Sequence, residues 1–172
     1  MFGNKGYGVF RYNETTNGLE PVSTHKYENM TLNNILAISK DSSNNYLFGT
    51  SYGLIKYTSE TSYQLFNAKN GFLNNTIHAI LRNSSDDFWL STNLGLINFD
   101  TKRNVFRSYG FGDGLKVVEF SDGAAFRDSQ TGPLFFGGIN GVVAIRADGR
   151  PEQLYMPPVY FDKLSIFGEQ YN

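Results

Sequence analysis

The chain has no cysteine among its 172 residues, which excludes disulfides, thiol nucleophiles and Cys-ligated zinc. Charge of one sign is missing too. Lys and Arg total 15 against 16 Asp and Glu, a formal charge of −1, so no basic field exists to hold nucleic acid or an anionic membrane. No apolar run approaches the roughly 18 residues that a membrane-spanning helix needs. The opening MFGNKGYG has no basic segment followed by an apolar one and is not expected to act as a signal peptide. It begins inside a repeat, so the expectation is a fragment of a longer chain. No segment carries an amphipathic helical period. What the chain does have is 15 Phe, 11 Tyr and 18 Gly, a composition rich in strand formers and turns.

Those residues repeat. Asn45–Tyr57 reads NYLFGTSYGLIKY, Asp87–Phe99 reads DFWLSTNLGLINF, and Pro133–Ile145 reads PLFFGGINGVVAI. Gly53 and Gly95 are 42 residues apart, Gly95 and Gly141 are 46 apart, and Gly8 lies 45 before Gly53. A period of about 40–50 residues marks units that cannot bury their apolar faces alone. One unit reads as four short strands: Thr76–Leu81, Phe88–Thr92, Leu96–Asp100 and Val105–Tyr109, separated by turns at Asn83–Asp87, Asn93–Gly95 and Thr101–Asn104. Gly53 and Gly95 are expected at positive φ.

The apolar pattern separates candidate folds. A strand with one wet face alternates, but Tyr46-Leu47-Phe48, Phe88-Trp89-Leu90 and Leu134-Phe135-Phe136 are continuous, so both faces of these strands are expected to be buried. Fourth strands carry Gln64, Asn67, Arg107 and Ser108, as an outer edge should. These features predict an all-β fold, a β-propeller fragment of four-stranded antiparallel blades, with a two-sheet sandwich as the competing architecture. The expected division is a partial blade at 1–30, blades at 31–72 and 73–112, a last blade at 113–156, and the start of a further β-sandwich domain at 157–172. Trp89, Phe135, Gly53, Gly95 and Gly141 are read as structural.

The unit from Gly71 to Tyr109 resembles the two-component regulator propeller repeat. Gly71, Leu73, Asn74, Asn75, Ile77, Ile80, Trp89, Leu90, Ser91, Thr92, Gly95, Leu96 and Phe99 fall on its pattern. The preceding unit has Leu47 where Trp89 stands, and the last has Phe135 there, with Gly137-Gly138 in place of Ser-Thr. Pro158–Gln170 resembles the opening of the Y_Y_Y-type domain that follows such propellers. The resemblance implies the periplasmic sensor region of a Bacteroides-type hybrid histidine kinase, non-catalytic in itself, detecting oligosaccharides and signalling across the membrane as a homodimer. It implies no cofactor and no metal. The alternatives are a propeller enzyme acting on glycans, a lyase or hydrolase, and a protein–protein interaction scaffold.

Residue by residue, chemistry is sparse. His78 sits in an apolar strand and is read as packing or hydrogen bonding, since the only other histidine, His25, is far off in the repeat. Asp86-Asp87 is read as a turn. The better binding candidates are loop residues on one face. Tyr7, Tyr52, Asn93 and Asn140 are the expected ligand contacts, with Leu94, Ile139, Lys69, Asn70, Phe111 and Asp113 nearby. Tyr and Asn suit sugars, offering a flat apolar ring with a hydroxyl and amide donors and acceptors. Uncovered sheet faces, and edges at Gly6–Tyr12 and Pro158–Phe167, predict self-association of the isolated chain.

Overall fold

Short hairpin turns set the register of every sheet. In the computed structural model, residues 1–22, 34–59, 62–129 and 132–146 are described, together with the backbone of 151–153, 164–166 and 169–171. Thr50 pairs with Gly53, Thr92 with Gly95, and Gly138 with Gly141, each across a two-residue turn. The glycine leaving each turn has positive φ, 141° at Gly53 and 120° at Gly95, as expected. A Cβ there would collide with the carbonyl oxygen of Phe66 or Tyr109 on the neighbouring strand, so conformation and close approach both demand glycine. Thr50 and Thr92 lock their turns in the same way. Each hydroxyl donates to the glycine carbonyl at 2.9 Å and accepts the amide of Tyr52 or Leu94.

Four antiparallel meanders follow in chain order. The first holds β1 (Phe2–Asn4), β2 (Gly8–Asn13) and β3 (Gly18–Pro21). The second holds β4 (Ile35–Lys40), β5 (Tyr46–Thr50), β6 (Gly53–Ser59) and β7 (Ser62–Phe66). The third holds β8 (Ala79–Arg82), β9 (Asp87–Thr92), β10 (Gly95–Asp100) and β11 (Val105–Tyr109). The fourth holds β12 (Phe120–Arg127), β13 (Leu134–Gly138), β14 (Gly141–Ile145) and β15 (Pro151–Gln153). A separate hairpin pairs β16 (Leu164–Ile166) with β17 (Glu169–Tyr171). The expected edge at Gly6–Tyr12 is overturned: β2 is the middle strand of its sheet, paired on both sides. Most of the Pro158–Phe167 edge lies outside the described residues. The expected strand Thr76–Leu81 starts late because Ile77 gives its amide to Thr50 of the second sheet, at 2.9 Å, instead of joining a ladder.

The sheets stack with an apolar layer in each gap. Val9, Val22, Ile35, Phe48 and Ile55 fill the first gap. Leu47, Leu54, Phe72, Phe88, Leu90, Ile97 and Phe99 fill the second. Trp89, Leu96, Val117, Leu134, Phe136 and Val143 fill the third. Alternation along each strand sends neighbours to opposite layers, so Phe88 and Leu90 face the second sheet while Trp89 faces the fourth. Each fully buried large side chain contributes on the order of 1.5–3 kcal/mol. β5 and β9 are buried on both faces, as their continuous apolar runs required. β13 instead alternates, with Phe135 half-buried between buried Leu134 and Phe136. Phe135 points away from the third sheet, and its ring stacks on the exposed Phe126. Polar staples tie neighbouring sheets about one repeat apart. Ser42 donates to Asp86 at 2.6 Å, Lys56 to Asn104 at 2.9 Å, and Arg127 to the carbonyl of Arg82 at 2.6 Å.

Candidate functional site

The lead strands of successive sheets lie side by side: β1 beside β4, β4 beside β8, and β8 beside β12. This brings side chains from three sheets to one point. His78, just before β8, is fixed by its backbone, donating to Ser91 at 2.8 Å and accepting from Gly123 at 3.3 Å. Its Nδ1 is 2.5 Å from Asp122 Oδ1, and its Nε2 is 2.6 Å from the side-chain oxygen of Asn93, in the β9–β10 turn. Asp122 lies where the β12 register shifts between Phe120 and Ala125, at an irregularity opened by Gly123 with φ 67°. Lys5, in the turn between β1 and β2, brings its Nζ to 2.5 Å from the other Asp122 oxygen.

This cluster is graded from wet to dry. The side chains of Lys5 and Asp122 are 59% and 44% exposed, while that of His78 is 11% exposed. The Asp122 carboxyl is held below its ordinary pKa, first by the hydrogen bond from Lys5 and then by that from His78. Nδ1 faces the Asp122 carboxylate and Nε2 faces the Asn93 side-chain amide, so both ring nitrogens have a hydrogen-bonding partner. Nε2 meets an amide rather than a hydroxyl or thiol, so His78 activates no nucleophile among the described residues. Among those residues no group of three or more His, Asp or Glu gathers to hold a metal ion. The arrangement instead offers one carboxylate, one ammonium and one amide at an accessible spot, a set that hydrogen-bonds hydroxyl groups well.

The sequence-selected residues divide around it. Asn93 is in the cluster. Tyr7 is two residues beyond Lys5 and strongly exposed, and Tyr52, Leu94 and Ile139 project at the other turns. Asn140 is exposed but donates to the Lys116 carbonyl at 3.2 Å. Asn70 and Asp113 cap their own short 3-10 turns by accepting the amides of Asn67 and Gly110, both at 3.0 Å. Lys69 and Phe111 belong to the same two turns and are exposed. Asp86 accepts from Ser42, while Asp87 accepts from Asn83 at 2.7 Å and opens β9. His25 lies outside the described residues. Sequence reasoning missed Lys5 and Asp122. The available signal was Asp122-Gly123 inside a strand-like run, where glycine marks an irregular strand. One groove lies at Tyr63–Phe66, and another is lined by Phe2, Asn4, Tyr7, Phe10 and Leu19.

No family model matches the chain, and no curated protein is similar to it. Among solved structures, the extracellular domain of BT3049 from B. thetaiotaomicron, described as a hybrid two component system, superposes with a TM-score of 0.71 at 29% identity. The match covers 85% of this chain and 20% of that one. The chain resembles the extracellular part of a hybrid two-component system. It spans about a fifth of that structure's length. The extracellular domain of BT4673 from the same organism gives a TM-score of 0.37 at 17% identity, over 73% of this chain and 22% of that one, a distance from which no functional argument follows. The likeness agrees with the family resemblance read from the repeat; the Y_Y_Y-type portion falls largely on residues outside those described. Among the described residues no helix is long and apolar enough to cross a membrane.

Proposed function

We propose that this chain is a non-catalytic segment of the periplasmic sensor region of a hybrid two-component histidine kinase, and that its stacked meanders are blades of a β-propeller. The blades divide at 1–30, 31–72, 73–112 and 113–156, and 157–172 opens a Y_Y_Y-type sandwich. The carrying observation is the 29% identical, TM-score 0.71 likeness to an extracellular domain of such a system. In this reading the parent detects oligosaccharides, acts as a homodimer, and carries its kinase activity outside this region. A glycan that binds one arrangement of the sensor better than another shifts the population, and the adjoining sandwich passes the shift on. In this reading Tyr7, Tyr52, Asn93 and Asn140, together with Lys5, His78 and Asp122, supply aromatic surface and matched donors and acceptors for sugar hydroxyls.

Calorimetry of the chain against a panel of plant and host oligosaccharides, with product analysis of the same mixtures, tests this. Saturable heat without new reducing ends supports a sensor. Product release establishes an enzyme instead. No heat with any saccharide at millimolar concentration, together with capture of a defined protein partner, points to the scaffold and overturns the reading.

A further inference from the structure

The first and fourth sheets each turn an apolar face outward, and the two faces match the two sides of the junctions built inside the chain. Every gap is built alike: one face of a sheet meets the opposite face of the next. Phe10 holds the repeat position of Ile55, Ile97 and Val143, which are 4%, 0% and 0% exposed. Tyr12 holds that of Phe99 and Ile145, likewise buried. Yet on the first sheet this face is open. Phe2, paired with Phe10, is 57% exposed, and Leu19, paired with Tyr12, is 59% exposed. A groove of about 300 Å³ runs among Phe2, Phe10 and Leu19. At the far end Phe135 holds the position of Leu47 and Trp89, both 0% exposed, and Val142 that of Leu54 and Leu96. There Phe135 is half-buried, and its partner Phe126 is 61% exposed.

We propose that the isolated chain associates head to tail, the first sheet of one copy packing on the fourth sheet of another. The contact continues the layers already formed inside the chain, which fixes its occupant as a sheet of this same repeat. It is heterologous, since the two faces differ, so association either closes a ring or extends. A second copy takes the part that a flanking repeat would take in a longer chain.

The test uses the whole chain, Phe10→Glu, Phe135→Glu, and an equimolar mixture of the two variants in sedimentation velocity from about 1 to 100 μM, a range that brackets typical weak association. The wild type is expected to show a mass above 19.3 kDa that rises with concentration. Each variant loses one face and is expected to run as a monomer. The mixture retains one good pair of faces and is expected to form a species of two chains and no larger. Circular dichroism checks folding, and Leu19→Lys with Phe126→Lys replaces any variant that fails it. A wild type that stays at 19.3 kDa throughout, a single variant that associates undiminished, or a mixture that gains no mass overturns the proposal.

Discussion

Replacing Trp89 separates a packing residue from a sugar-stacking one. It is the only tryptophan, fully buried in the gap between the third and fourth sheets, with its ring 5.1 Å from that of Tyr109. Trp89→Ala leaves a large cavity there and is expected to cost about 3–5 kcal/mol. At roughly 2–4 °C per kcal/mol for a chain of this size, the melting temperature should fall by about 6–20 °C. Trp89→Phe is the informative partner. The indole Nε1 is buried without a hydrogen-bond partner, a state that costs on the order of 1–3 kcal/mol. Phenylalanine removes that N–H and keeps an aromatic ring, and the repeat already places Phe135 at this position. The lost transfer energy and the relieved desolvation oppose each other, so Trp89→Phe should cost less than about 1.5 kcal/mol. Both variants are followed by far-UV circular dichroism, since the substitution removes the fluorescent probe. If Trp89→Ala melts within 2 °C of the wild type (well inside the ~6 °C minimum above) while saccharide binding vanishes, the packing argument fails.

Three further outcomes are expected. Gly95→Ala should destabilise by more than about 1–3 kcal/mol, because a positive φ of 120° is compounded by collision with the Tyr109 carbonyl, whereas Gly112→Ala, with open space around it, should change stability little; equal effects in urea titrations would contradict this. Thr92→Val removes both hydrogen bonds of its turn in a fully buried setting and should cost about 1–3 kcal/mol, with hydrogen exchange at the Leu94 amide accelerated. Asp122 has a lowered pKa, so its stabilising contribution is complete above the ordinary carboxylate value of about 4 and is lost as pH falls through the folded value. Asp122→Asn should therefore flatten the acid limb of the urea midpoint against pH, and an unchanged limb would remove Asp122 from the account.

The repeat was legible because sheet stacking leaves a local imprint. Continuous apolar triplets such as Phe88-Trp89-Leu90 need two buried faces, and glycines at a fixed spacing need the same strained turn. The polar Arg107 and Ser108 of an outer strand were readable for the same reason. Long-range convergence was not. Lys5 and Asp122 are 117 residues apart, and only the stacking of lead strands brings them together. His78 was legible as a packing or hydrogen-bonding residue and does hydrogen-bond, but its partners could not be named, because Asp122 comes from a β12 irregularity in another sheet. Leu134-Phe135-Phe136 misled in the opposite direction. The triplet has the composition of a doubly buried strand, but among the described residues Phe135 is only half-buried. Loop residues were the hardest to weigh, since Asn70 and Asp113 resemble ligand groups yet spend their side chains capping turns.

The most direct test of the central claim is an amide chemical-shift titration of the isotope-labelled chain with the saccharide that gives the largest calorimetric signal. Recognition on the turn-bearing face predicts saturable shifts at Lys5, Tyr7, Tyr52, Asn93 and Asn140, including the Asn93 side-chain amide, with Ser42, Lys56 and Arg82 unmoved. Shifts confined to Ser42, Lys56 and Arg82, or no saturable shift anywhere on the chain, would contradict it.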